Sequence, residues 1–314
     1  MPDLDDLLEK TSRTFALSIP LLPEPTRREV TLAYLLFRIA DTFEDAATWG
    51  RAQRIGALED FIALLEAPRP ARTRALAAAW CAGAPIEHAG YQELLRETPF
   101  VLEAFFALGE PARAIVRHHT VRTARGMAGF VARTGDDGAL RLRDLQDLRD
   151  YCYVVAGIVG ELCTDLFLLD RPSLASAADD LKRHARWFGE GLQLVNILKD
   201  SAFDATEGRS YLPAALDRAT VLAIAREDLG RASAYVAALE RRPDAPDPDT
   251  RGLIAFNALP VLLAYATLDK VEAQGPGSKI SRDELWSIVA RLENALDQGQ
   301  PAIEHQRVAK ESSS

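Results

Sequence analysis

TLAYLLFRIADTFEDA, residues 31–46, and GLQLVNILKDSAFD, residues 191–204, are apolar runs that each end in two aspartates four positions apart. Apolar residues in both recur every three or four positions, the period of a helix with one face toward a core. On that period Asp41 and Asp45 share one helix face, and so do Asp200 and Asp204. Acids at helical spacing ordinarily form a solvated face or offset nearby Lys and Arg. Here each pair emerges from a segment apolar enough to be buried, where a carboxylate needs a cation or a dense set of donors. Two acidic faces opposed across a cavity would hold hard divalent cations. Mg²⁺ in particular takes one or two carboxylates and leaves its other positions to water and phosphate. The pattern points to an all-α fold and to metal-assisted chemistry on a diphosphate.

The rest of the chain carries the same period. Ala, Leu, Arg and Glu dominate, and alternating β-branched runs are scarce. Helices are expected at 3–10, 26–47, 50–66, 72–82, 86–107, 110–133, 144–169, 173–201, 212–240, 250–274 and 281–300, punctuated by Pro or Gly. Short connections between long helices imply antiparallel neighbours in a bundle. No Pro/Gly/Ser linker divides the chain, so residues 1–302 are expected to form one domain and 303–314 a polar tail; RRPDAPDPDTRG, 241–252, reads as a surface loop. Two helices carry unusual small residues: Ala156, Gly157 and Gly160 in one, Gly126 and Gly129 in the other. Each Gly costs about 1 kcal/mol of helix stability relative to Ala, so either close helix packing or room for a ligand must compensate.

The net charge of −9 and the lack of a Lys/Arg block argue against nucleic acid and against electrostatic docking on anionic lipid. Cys81, Cys152 and Cys163 have no CxxC spacing, so neither a disulfide framework nor a zinc site is indicated, and a reducing cytoplasm is the expected setting. MPDLDDLLEK lacks the basic and apolar regions of a signal peptide. LIAFNALPVLLAYATL, 253–268, reads as too short for a membrane span of about 20 residues. A soluble protein with no transmembrane segment is expected.

A diphosphate site also needs cations that do not titrate. Arg13 in TSRTF, Arg38 one turn before Asp41, Lys199 beside Asp200, and Arg209 in GRSYLP are the candidates. Arginine suits the task because its planar fork meets two phosphate oxygens at once. The opposing reading is a carboxylate-bridged metal protein in a helical bundle, but such sites carry Glu-x-x-His pairs. None of His88, His118, His119, His184 and His305 has Glu three residues before it. A non-catalytic helical metal-binding protein, or a scaffold with solvated acidic pairs, is the remaining alternative outside enzymes.

Several segments together resemble the head-to-head prenyl synthases, the squalene and phytoene synthases. They are SRTFALSIPLLP (12–23), YLLFRIADTFEDA (34–46), GMAGF (126–130), YCYVVAGIVGELCTDLF (151–167), GLQLVNILKDSAFDATEGRSYLP (191–213) and FNALPVLLAYATL (256–268), in matching order and spacing. The resemblance implies a class I isoprenoid synthase bundle with a central substrate channel, Mg²⁺ held between the acidic pairs, and allylic diphosphate substrates, farnesyl diphosphate foremost. It implies metal binding by Asp41, Glu44, Asp45, Asp200 and Asp204. Ser12, Arg13, Arg38 and Arg209 match diphosphate-facing positions, and Tyr34, Tyr151 and Gln193 match cavity-facing polar groups. Phe15, Val155, Phe167, Leu192, Phe256 and Pro260 match apolar lining, with Asn196 and Lys199 as further substrate contacts. Tyr151 is the residue chosen for proton abstraction during cyclopropane closure.

DTFED is nearer the DTxED form of squalene synthases than the variants usual in phytoene synthases. Lys199 stands where Arg is common, and Phe203 and Ala205 flank Asp204 where squalene synthases more often carry acids. Squalene synthases also use NADPH to reduce a cyclopropyl intermediate, and GPGSKISRDE makes Lys279 and Arg282 the candidates for contacting it. The expectation is therefore a squalene synthase-like prenyltransferase, cytoplasmic and in peripheral contact with membrane for product release. The alternative is a phytoene- or dehydrosqualene-type synthase, or a presqualene diphosphate synthase, that does not reduce.

Overall fold

A computed structural model describes residues 3–12, 14–135, 138–206, 209–241 and 248–303. The described residues are 79% helical and contain no strands. The helices are α1 (Leu4–Thr11), α2 (Phe15–Ser18), α3 (Thr26–Glu44), α4 (Arg51–Glu66), α5 (Pro70–Ala82), α6 (Ala89–Arg96), α7 (Thr98–Phe106), α8 (Glu110–Ala132), α9 (Leu145–Cys152), α10 (Ile158–Asp170), α11 (Ala178–Thr206), α12 (Arg218–Glu240), α13 (Pro248–Gln274) and α14 (Arg282–Asp297).

Local chemistry explains where these helices depart from the sequence expectation. The expected helix 86–107 is two helices, because Pro99 in the first turn of α7 has no N–H to continue the preceding ladder. The expected helix 212–240 starts at α12, where the Asp217 carboxylate caps the Thr220 N–H at 2.7 Å. α13 begins two residues earlier than expected, inside the segment read as a loop; residues 242–247 of that segment lie outside the described residues. α14 opens on a capping box between Ser281 and Glu284.

The helix expected over 144–169 is interrupted by a π-helical turn at Tyr153–Gly157. This turn and the start of α10 lie against α11 at near-backbone distance. A Cβ on Gly160 would come to 1.9 Å from the Ala185 carbonyl oxygen, and one on Gly189 to 1.9 Å from that of Ala156. On α8 a Cβ at Gly126 would strike Val154, whereas one at Gly129 would meet nothing within 4 Å. Close packing, and not ligand space, therefore explains Gly126 and Gly160.

Two apolar clusters fill the bundle. The larger joins α3, α4, α7, α8, α10 and α13 around Phe43, Phe61, Phe105 and Phe167. The smaller joins α9, α11, α12 and the end of α13 around Leu148, Leu194, Leu198, Leu229 and Leu268. α3 carries the first acidic pair out of the larger cluster, and α11 carries the second out of the smaller.

Leu145–Asp170 and Thr250–Gln274 are long and apolar enough to cross a membrane, with mean hydropathy 1.8 and 1.5. The length argument made from residues 253–268 alone thus fails, because α13 continues on both sides of that stretch. Of the most apolar windows, 50% and 56% respectively are buried inside the bundle.

Candidate active site

Asp41 lies in the last turn of α3, and Asp45 caps its end with its N–H on the Asp41 carbonyl at 2.8 Å. Asp200 and Asp204 lie in the last two turns of α11. Arg209 joins the two pairs. Its Nη1 is 3.0 Å from Asp45 Oδ1 and its Nη2 is 3.8 Å from Asp204 Oδ1. The Arg209 backbone is pinned on both sides: its N–H donates to the Asp204 carbonyl at 2.9 Å, and the Ser210 N–H donates to the Leu140 carbonyl at 3.2 Å.

The remaining cations serve one pair each. Arg38 Nη1 is 3.2 Å from Asp41, and its Nη2 donates to the Tyr34 hydroxyl at 3.4 Å. Its guanidinium also lies over the rings of Tyr91 at 5.1 Å and Tyr34 at 5.7 Å, and Tyr34 in turn donates to the Thr11 carbonyl at 2.7 Å. Lys199 Nζ is 3.2 Å from Asp200. Burial opposes the charge of Arg38 and of Arg209, but their aspartate neighbours hold both guanidinium pKa values above the ordinary one.

Burial pushes Asp41 up to about 6, with Asp45 adding to the rise and Arg38 opposing it. Burial likewise pushes Asp204 up to about 6; Arg209 opposes this, while Asp200 and Asp45 add to it. Asp204 thus responds to a carboxylate of the other motif, which is the electrostatic signature of a shared site wanting more positive charge.

The other expected site residues are more deeply buried. Glu44 is only 6% exposed and shares a hydrogen bond with Tyr151, and burial together with Asp45 and Asp41 raises its carboxyl well above the usual range. Glu44 lies between Tyr151 and a small cavity that it lines with Asp45 and Arg209. Tyr151 is itself buried, edge-on to Phe130 at 5.2 Å and stacked on Tyr211 at 4.8 Å. Burial, Glu44 and Tyr211 push its phenol well above its ordinary value, which removes the phenolate as a resting base. Phe256 is 2% exposed and meets Phe167 edge-on at 6.0 Å, and Pro260 is buried one turn further along α13.

Phe15, Tyr34, Val155, Leu192 and Gln193 are half-buried and keep surface free for a ligand, and Asn196 is exposed. The Ser12 hydroxyl oxygen accepts the Phe15 N–H at 2.9 Å, starting α2. Arg13 lies outside the described residues. Lys279 and Arg282 are exposed. Their loop nevertheless reaches the second motif, for the Gly277 N–H donates to the Lys199 carbonyl at 2.7 Å.

Sequence reasoning missed Arg54 and Tyr211. Both line a small cavity of about 150 Å³ with Glu44, Asp45 and Arg209. Arg54 donates to the Glu44 carbonyl from a buried position. Tyr211 sits inside the quoted GRSYLP, so its place beside Arg209 was a usable signal; Arg54 gave none. His119 is a satisfied core histidine, bonded to Asp165 at 2.9 Å and Arg122 at 3.1 Å. Glu161 pairs with Arg122 at 2.8 Å.

Among the described residues no three His, Cys, Asp or Glu side chains close into a ready-made metal cage. An open set of aspartates on two helix ends does fit Mg²⁺, which fills its shell with water and phosphate. Arg38 Nε and Arg209 Nε are buried without a hydrogen-bond partner, so donor capacity is left over beside the carboxylates. Such donors suit an anion.

An all-α bundle with two facing acidic helix ends defines an isoprenoid synthase fold. TcSQS in complex with the ligand E5700 superposes with a TM-score of 0.71 at 24% identity, covering 97% of this chain and 92% of that one. A dehydrosqualene synthase in complex with ligand gives 0.59 at 19% identity, covering 94% and 95%. Squalene synthase of Schizosaccharomyces pombe is 29% identical over 210 residues, 66% of this chain and 43% of the relative. The matched segment is thus less than half the length of that relative. The squalene/phytoene synthase family pattern matches residues 8–283, and the chain belongs to that family.

Proposed function

We propose that this protein is a prenyltransferase that joins two farnesyl diphosphates head to head through a cyclopropyl diphosphate, and reduces that intermediate to squalene. The observation that carries the reading is Arg209 spanning Asp45 and Asp204. It brings the two acidic pairs, 159 residues apart in the chain at that link, within reach of one diphosphate. Family membership and a squalene synthase relative support the reaction class.

Asp41, Asp45, Asp200 and Asp204 would hold Mg²⁺, which when bound supplies Lewis-acid stabilisation of the charge on departing diphosphate. Arg38 and Arg209 add non-titrating donors for the same oxygens. Phe15, Val155 and Leu192 exclude water from the allylic cation, and the Phe15 and Tyr34 rings, 5.6 Å apart, offer it their negative faces.

Tyr151 works as a positioned hydroxyl. Its oxygen takes the proton lost on cyclopropane closure only as its own proton passes to the diphosphate released in the same half-reaction, because the isolated phenolate is out of reach. Hydride for the second half of the reaction would come from NADPH, with Lys279 and Arg282 as the contacting pair. A second reading, condensation without reduction, draws on the exposure of both residues, which a solvated turn explains equally well.

The test is incubation of purified protein with farnesyl diphosphate and Mg²⁺, with and without NADPH, followed by mass spectrometry of the extracted products. Squalene formed only with NADPH supports the main reading. A cyclopropyl diphosphate or unreduced C30 product in both reactions establishes the second, and no condensation product from farnesyl or geranylgeranyl diphosphate contradicts both.

A further inference from the structure

We propose that Arg209 is an internal cation latch that makes metal loading depend on diphosphate. The inference rests on the reading of the two acidic pairs as a metal–diphosphate site. It goes beyond that reading by giving Arg209 a role before any substrate arrives.

Among the described residues Arg209 alone is in contact with both motifs, through Nη1 to Asp45 and Nη2 to Asp204. Arg38 and Lys199 each neutralise an aspartate of their own helix. The Arg209 guanidinium therefore occupies the position between α3 and α11 where an added cation would gain most from carboxylates on both sides. A divalent cation entering there alone must repel or displace a fixed positive charge.

The displaced guanidinium then needs a new acceptor. Its backbone cannot follow, being held by Asp204 on one side and Leu140 on the other, so only the side chain can turn. Its Nε is already buried without a partner, which leaves the fork short of acceptors even in the latched state. A diphosphate supplies several anionic oxygens to such a fork at once. Metal arriving with diphosphate thus compensates both the carboxylates and the arginine, whereas metal arriving alone compensates only the carboxylates. The latch discourages idle metal loading and keeps the two motifs together until substrate comes.

The test is calorimetric and needs no turnover. Mg²⁺ alone and preformed Mg²⁺–diphosphate are titrated separately into the wild-type protein, Arg209→Gln and Arg209→Lys, each checked for an unchanged helical spectrum. Arg209→Gln should bind Mg²⁺ alone about tenfold more tightly than wild type, the order expected for removing one half-buried opposing charge. It should bind Mg²⁺–diphosphate more weakly, while Arg209→Lys, which keeps the charge, should stay near wild type toward Mg²⁺ alone. If wild type binds Mg²⁺–diphosphate but Arg209→Gln binds Mg²⁺ alone no more tightly than wild type, the latch is overturned and the site reading survives. If wild type binds neither, the site reading itself falls.

Discussion

DTFED and DSAFD each hold a phenylalanine between two aspartates, and the two rings meet opposite fates. Phe43 is fully buried among Trp80, Trp49 and Phe61, at ring separations of 4.7, 6.1 and 6.2 Å. Phe203 is 62% exposed. The first motif is thus fixed to the larger core by its own aromatic residue. The second sits at the end of a long helix and is held by polar ties instead, Lys199 to Gly277 and Arg209 to Asp45. One half of the site is a rigid reference, and the other is attached to it through contacts that a ligand can replace.

The largest expected effect breaks the comparison at its chemistry. Asp41→Asn and Asp200→Asn should each lower turnover by about 10³-fold or more while leaving the circular dichroism spectrum intact, because each removes a carboxylate proposed to hold Mg²⁺. Near-normal activity in either variant would remove that motif from the mechanism.

The next effect tests the comparison directly. Phe43→Ala should cost about 3–5 kcal/mol in denaturant unfolding, the usual range for emptying a buried aromatic position. Phe203→Ala should stay within about 0.5 kcal/mol, as exposed substitutions do. Equal costs would show that both motifs are core-anchored and that the asymmetry is not real.

A smaller effect concerns pH. Asp41 and Asp204 have folded-state values near 6, and Glu29, buried beside Asp170, rises to about 7. The ordinary values of these groups are 3.8 and 4.5, so between about pH 4 and pH 7 the folded state binds more protons than the unfolded one. Their contribution to stability is therefore greatest at the acid end of that window and is lost as pH rises through it. Thermal melts of the metal-free protein should show this fall. Mg²⁺ with diphosphate should flatten the part due to the aspartates and leave the part due to Glu29.

The smallest effect sharpens the outer edge of the second motif. Lys279→Ala should raise the KM for NADPH several-fold without changing consumption of farnesyl diphosphate in the first half-reaction. An unchanged KM would return Lys279 to the role of a solvated loop residue.

The fold was legible wherever apolar periodicity was strong, as in α3, α8 and α11. The acidic pairs stood out because they ended such runs. What escaped was set by long-range contact. The π-helical turn at Tyr153–Gly157 depends on how closely α11 approaches, and nothing local announces it. Glu44 reads as a third acid of the first motif, and its hydrogen bond to Tyr151, about a hundred residues further on, could not be read locally. Phe256 fitted an apolar lining by type, and its edge-on contact with Phe167 could not be read from the sequence.

The most direct measurement is a crystal structure of the protein with Mn²⁺ and inorganic diphosphate, the metal located by its anomalous signal. Anomalous peaks between the Asp41/Asp45 and Asp200/Asp204 carboxylates, with Arg209 turned from Asp45 onto diphosphate oxygens, are the predicted result. Diphosphate bound elsewhere, or metal absent from the space between α3 and α11, would contradict the account.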